Sequence, residues 1–252
     1  MPATVSSEIL TVEQKDSVVS LTLNRPEKCN ALNTELCSAL IEACETLSND
    51  AEVVILRGSG RHFCAGADLK ELYGADRREV ERAIQVQIDA CHALASIPQP
   101  TIAILHGKCY GGGAFLSLYC DLRVGHPGVE FALPEVPFGW MPPYGLERMM
   151  EALLRSFGLD MLLSGRVCGD AEALEKGWLH SLAENSDSES SFIDRMLQLS
   201  REAFVDTVSF VQEKDLERMC QADLNSLQIF LRHFDTNYAR NNLDNYFERR
   251  RK

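Results

Sequence analysis

A chain of 252 residues with 45% hydrophobic content is long enough to bury a substantial core as one domain with an appended element. Twenty-five Lys and Arg against 37 Asp and Glu leave a formal charge of −12, which repels a phosphate backbone and excludes nucleic acid as an expected partner. Nine cysteines, odd in number and without a CxxC pair, argue against a disulfide framework or a zinc ribbon and fit a reducing compartment.

The opening "MPATVSSEIL" has no basic stretch followed by an apolar one, and no run approaches bilayer-spanning length. The expectation is a soluble, cytoplasmic protein with no membrane partner. Next, "VVSLTLN" alternates apolar and polar residues as a half-buried strand does. Leu36, Leu40, Ala43 and Leu47 then follow helical spacing, with Asn33 placed to cap that helix. "VVILRG" and "TIAILHG" are short β-branched runs, and the stretch Ala75–Ala95 between them reads as a second helix stopped by the prolines of "IPQP". Strand, helix, strand order predicts an α/β fold with parallel pairing, because parallel neighbours need a crossover connection.

From about Arg148 the pattern turns helical. Met149, Met150, Leu153, Leu154, Leu197, Leu199, Leu227, Ile229, Phe230 and Leu231 are expected to form packing faces, and the polar "AENSDSESS" is expected to be a loop or hinge. The terminal Arg249–Lys252 run reads as a solvated tail.

Two glycine-bearing turns are candidates to bind a ligand, with a tight, closely packed strand-to-helix turn and no ligand as the other reading of the glycine triplet. In "CYGGGAFLSLYCD", three glycines precede an apolar helix whose first amides are unpaired, so a ligand oxygen can approach them closely. In "HFCAGADLKE", Ala65, Gly66 and Ala67 lie where the chain leaves the strand "VVILRG". One amide from each turn could converge on a single oxygen, as needed when a thioester carbonyl becomes an enolate or an oxyanion. The six histidines show no HExxH or paired spacing, so no metal site is expected, and no GxSxG elbow is present. Cys64 and Cys109, beside the proposed amides, read as small buried packing residues.

These two segments, with "NRPEKCNALN" and "FALPEVPFGW", resemble the crotonase superfamily, the enoyl-CoA hydratase/isomerase family, from about Val18 to Val167. The resemblance implies a spiral of ββα units over residues 1–190, with a helical trimerisation region over 191–252. It further implies a homotrimer or dimer of trimers, and a substrate that is an acyl group on coenzyme A or on a carrier protein. Coenzyme A would enter as part of the substrate, with no separate cofactor.

The family's oxyanion hole falls on the amides of Ala67 and Gly112, with Ala65, Gly66, Asp68 and Gly111 as neighbouring substrate contacts. Lys28 and Lys70 stand near these motifs, where the family's basic residues approach the coenzyme A phosphates, with solvated surface charge as their other reading. Hydratases of this family use two glutamates. At the first position this chain has Phe115, and at the second it has Glu135. Phenylalanine accepts no proton, so the pattern is that of an isomerase, in which one base removes a proton from C2 of a 3-enoyl thioester and returns it at C4. The apolar neighbours of Glu135 are expected to make it a stronger base. Phe115, Trp140 and Tyr144 are candidates to line the acyl pocket, with core packing as their other role. A dehydratase or decarboxylase acting on a carrier-protein thioester in polyketide biosynthesis, and a non-catalytic acyl-CoA-binding or scaffold protein, remain alternatives.

Overall fold

The computed structural model describes residues 8–48 and 50–249, and their side chains except at 209 and 211–216. Arg250, Arg251 and Lys252 of the expected basic tail lie outside the described residues. Strands β1 (Leu10–Lys15) and β2 (Val18–Leu23) form an antiparallel hairpin. In β2 the alternation of the sequence is realised directly, with Val19, Leu21 and Leu23 turned into the core. Helix α1 (Thr34–Glu45) starts where Asn33 accepts the Leu36 amide at 3.0 Å, and it buries Leu36, Cys37, Leu40 and Ala43.

The runs "VVILRG" and "TIAIL" become β3 (Val53–Gly58) and, after the short α2 (Leu69–Leu72) and the long α3 (Arg77–Ala95), β4 (Thr101–Leu105). Helix α3 begins two residues later than the pattern suggested, because Asp76 closes a reciprocal capping box with Glu79. The chain continues through β5 (Lys108–Tyr110), α4 (Gly112–Leu118), β6 (Leu122–Gly125), β7 (Glu130–Ala132), α5 (Glu135–Phe138), α6 (Leu146–Ala152) and α7 (Arg155–Ser164). Then come β8 (Cys168–Gly169), α8 (Asp170–Glu175), β9 (Ser181–Leu182), α9 (Ser186–Leu197), α10 (Arg201–Phe234) and α11 (Asn237–Arg249).

Among the described residues the main sheet runs β1-β2-β3-β4-β6-β9, parallel from β2 onward, and a smaller sheet runs β5-β7-β8. Strands β3 and β4 are apolar on both faces because both faces are covered. Val54, Leu56, Ala103 and Leu105 join the core that includes α1 and α3 residues, while Val53, Ile55, Ile102 and Ile104 pack with Phe192 of α9 on the other side. This repeated β-α arrangement with its C-terminal helical bundle is the crotonase-type spiral that the resemblance implied.

Two expectations need correction. The polar "AENSDSESS" is the start of α9, not a hinge: Asn185 and Ser188 make a reciprocal cap, Asp187 and Glu189 favour the positive end of the helix, and Phe192 anchors it under the sheet. The boundary drawn at 190/191 therefore falls within a helix. Leu154 and Leu199, expected in packing faces, are instead 62% and 48% exposed, since each sits at a helix edge where the core-facing spacing breaks. The other eight are buried or half-buried.

Candidate active site

The motif "NRPEKCNALN" acts as a brace. Asn30, fully buried in a left-handed backbone conformation (φ 54°), accepts the Arg25 amide at 2.8 Å through its side-chain oxygen. Its side-chain nitrogen donates to the carbonyls of Ser59 (2.9 Å), His62 (2.8 Å) and Phe63 (3.1 Å). The Arg25 guanidinium donates to the Ala31 carbonyl and to Asp68 Oδ2 at 2.9 Å. One loop thus fixes the other before any ligand is considered.

The second turn is stitched on both sides. Leu32 donates to the Gly66 carbonyl (2.8 Å), and Asp68 donates back to Leu32 (2.7 Å). On the opposite side Cys64 donates to Lys108 (3.1 Å) and Tyr110 donates to Cys64 (3.0 Å). Gly66 is held at φ +95°, where a Cβ would lie 2.9 Å from the Tyr110 carbonyl oxygen and 3.3 Å from the Gly112 nitrogen, so only glycine lets the two turns approach this closely. A Cβ on Gly112 would in turn lie 3.6 Å from the Ala67 nitrogen and 2.5 Å from the Tyr144 hydroxyl.

The neighbouring amides are mostly occupied. Ala65 donates to the Cys29 carbonyl, Gly111 donates to the Ala132 carbonyl, and Asp68 donates to Leu32. Neither the Ala67 nor the Gly112 amide has a protein acceptor among the described residues. Gly112 opens α4, so its N–H also stands at the positive end of a helix. The two unpaired amides are thus close neighbours, the Ala67 nitrogen 3.6 Å from where a Cβ on Gly112 would stand.

Glu135 opens α5, with Oε1 2.7 Å from the position a Cβ on Gly111 would take. Its Oε2 is buried without a hydrogen-bond partner. Burial disfavours the charged carboxylate and pushes Glu135 up to about 7, a value suited to exchanging a proton near neutral pH. The carboxyl group and the paired amides meet at Gly111 and Gly112.

Phe115, which the resemblance sets at the first glutamate position, is 1% exposed on α4, with its ring edge-on to Tyr144 and centroids 6.1 Å apart. Tyr144 donates to Gln87 Oε1 at 3.1 Å. The Trp140 amide donates to the Glu135 carbonyl at 2.8 Å, and its ring packs among Phe138, Phe230 and Phe234, in the aromatic cluster that joins α5 to α10. Asp68 caps α2 and pairs with Arg25. Lys28 and Lys70 are exposed. Cys64 and Cys109 are fully buried, and burial raises both thiols, Cys64 to about 12. All nine cysteines are free.

Sequence reasoning missed Gln87 and the bracing role of Arg25 and Asn30. Gln87 is a polar residue on the buried face of α3, 2% exposed, and that break in the apolar stripe was its signal.

The fold is a crotonase-type spiral in which two amides without protein acceptors among the described residues lie beside a shielded carboxyl group. The chain belongs to the enoyl-CoA hydratase/isomerase family, whose model matches residues 13–252, and it acts on acyl-CoA thioesters. It is 32% identical over 183 residues to the "Probable enoyl-CoA hydratase echA8" of Mycobacterium bovis, covering 71% of this chain and 70% of that protein. It is 34% identical over 171 residues to the 2,3-dehydroadipyl-CoA hydratase of Escherichia coli, covering 67% and 66%. Its fold superposes on the crystal structure of an enoyl-CoA hydratase from Bacillus halodurans with a TM-score of 0.87, at 21% identity and over 94% of this chain and 99% of that one. Among the described residues no helix is long and apolar enough to cross a membrane.

Proposed function

We propose that this chain is an enoyl-CoA isomerase that moves a double bond between C3 and C2 of an acyl-CoA thioester. The observation that carries this reading is the pairing of Glu135, a shielded carboxyl held near neutrality, with Phe115, a buried aromatic ring where a hydratase of the family has its other glutamate.

The thioester oxygen binds between the amides of Ala67 and Gly112, each of which lowers the barrier by about 3 kcal/mol as the enolate forms. Glu135 takes the proton from C2, the electron pair moves into the enolate, and the double bond shifts as the same carboxyl returns the proton at C4. No second acid is needed, because one proton leaves and one arrives. Water addition, in contrast, requires a group to activate water as well as one to protonate carbon, and Phe115 can do neither. The relatives with hydratase names support the thioester class, and Phe115 supports the isomerase within it. Phe115 and Tyr144 border the acyl group, the exposed Lys28 and Lys70 meet the coenzyme A phosphates, and the assembled enzyme is a homotrimer or dimer of trimers.

The test is turnover of a 3-enoyl-CoA by the parent chain and by Glu135→Gln, with water addition to a 2-enoyl-CoA measured alongside. Isomerisation that exceeds hydration and vanishes in Glu135→Gln is the expected result. Hydration as fast as isomerisation, or unchanged turnover in the variant, overturns the reading.

A further inference from the structure

Helices α3 and α10 bring together a cysteine, a histidine and an aspartate that the reaction above does not use. Asp223 is 1% exposed, and its carboxylate is fixed by three donors. Tyr119 OH donates to Oδ2 at 2.6 Å, the Gly145 amide donates to Oδ1 at 2.8 Å, and His92 Nε2 lies 2.8 Å from Oδ2. A carboxylate only accepts, so the hydrogen of neutral His92 sits on Nε2 and its lone pair on Nδ1. That lone pair faces Cys220 Sγ at 3.5 Å. Cys220 and Asp223 are three residues apart on α10 and so present one face to His92.

Nucleophile, base and orienting carboxylate are thus arranged in series, the pattern by which an otherwise weak nucleophile is activated. The base matters here. Burial, with Asp223 and Asp89 nearby, holds the Cys220 thiol above its ordinary value, so Cys220 is not a standing thiolate. A proton acceptor already in contact with the S–H removes that obstacle during attack. Asp223 in turn stabilises the imidazolium that forms.

We infer that Cys220 is a covalent modification site for α,β-unsaturated carbonyl compounds, with His92 as its proton acceptor and Asp223 as the residue that orients His92. A soft thiolate favours a soft carbon electrophile, and conjugate addition needs no oxidant and no leaving group. Sγ bonds to the β-carbon while its proton passes to His92 Nδ1. The double-bond electron pair moves to the α-carbon, which takes that proton back. The product is a thioether, and His92 is again neutral.

The chain carries its own controls, because Cys29 and Cys44 are also partly exposed, whereas Cys37, Cys64, Cys91, Cys109, Cys120 and Cys168 are buried. The intact 252-residue chain is treated in parallel with 2-butenal and with 2-butenoyl-CoA, and adducts at each cysteine are followed in time by peptide mass spectrometry. Each rate is normalised to that of the same cysteine in urea. Cys220 is expected to react at least about tenfold faster than Cys29 and Cys44, and His92→Gln is expected to remove that advantage. Whichever reagent forms the adduct identifies the source, a free unsaturated aldehyde or a thioester. A Cys220 rate no greater than that of Cys29 with both reagents overturns the inference, as does an unchanged rate in a folded His92→Gln. If that variant does not fold, the parent comparison decides alone. Glu135 takes no part in this relay, so the outcome is independent of the isomerase assay.

Discussion

The hydroxyl of Tyr144 lies against Gly112, at 2.5 Å from the point where a Cβ on that glycine would stand, and it is pinned there by its 3.1 Å hydrogen bond to Gln87. The Gly112 turn is therefore packed from behind by a buried polar group that the Gln87 side chain of α3 holds in place. Space at Gly112 is limited by one identifiable atom.

That relationship predicts a specific coupling. Gly112→Ala pushes its methyl group into the Tyr144 oxygen, which shifts the Gly112 amide, and turnover is expected to fall by about ten- to a hundredfold. Tyr144→Phe removes the obstructing oxygen. In the double variant, part of the loss in kcat is expected to return, giving a non-additive cycle of about 1 kcal/mol or more. Strict additivity of the two variants in kcat would show that Tyr144 does not set the position of the amide.

Glu135→Gln separates chemistry from stability. Because Oε2 has no hydrogen-bond partner, the substitution breaks no protein contact there, while proton transfer is expected to drop by about 10²- to 10⁴-fold. The folded-state value of about 7 lies above the ordinary 4.5, so the native protein holds this proton more tightly than the unfolded chain does. Stability from this group is present in full below pH 4.5 and is lost as pH rises through 7. Glu135→Gln removes that loss. Urea unfolding is expected to show the variant level with the parent at pH 4.5 and more stable by up to about 3 kcal/mol at pH 8.

The same elevated carboxyl, as the proposed base, is expected to set the pH dependence of the reaction. A base must be ionised to accept the C2 proton, so kcat/KM for a 3-enoyl-CoA is expected to be level above pH 7 to 8 and to fall about tenfold per unit below an apparent value near 7. An acid limb near the ordinary carboxylate value of 4.5 would place the catalytic group in contact with water.

Much of this was legible in the sequence because short-range rules governed it. The alternation in Val18–Leu23, the apolar runs of β3 and β4, and the Asn33 cap each rest on local patterning, and the structure keeps all of them. The paired turns were legible because glycine marks close backbone approach. What the sequence concealed depends on distant partners. Serine and acidic residues after Asn185 suit a loop or a helix start equally, and the choice is made by Phe192 finding the face of the sheet opposite α1. Trp140 lies five residues from Glu135 but belongs to a cluster with Phe230 and Phe234, which lie about ninety residues away in the chain. The relay of His92, Asp223 and Cys220 joins α3 to α10, and no spacing within either helix reveals the other.

Asn30 supplies the last prediction, because its side chain does work that no helix or strand can do. Its amide nitrogen donates to the carbonyls of Ser59, His62 and Phe63, all within the segment that leads from β3 into the Ala67 turn. Asn30→Ala strands those buried carbonyls and places alanine at φ 54°, where asparagine is better tolerated. The expected loss is about 2 to 4 kcal/mol in urea unfolding. Because the segment positions the Ala67 amide, the proposed oxyanion donor, the surviving folded protein is also expected to lose kcat more than it gains KM. Asn30→Asp keeps the acceptor for the Arg25 amide but sets a carboxylate against carbonyl oxygens, and so is expected to be as damaging as alanine. If Asn30→Asp instead retains parental stability and kcat, the brace is not what holds the Ala67 amide in position.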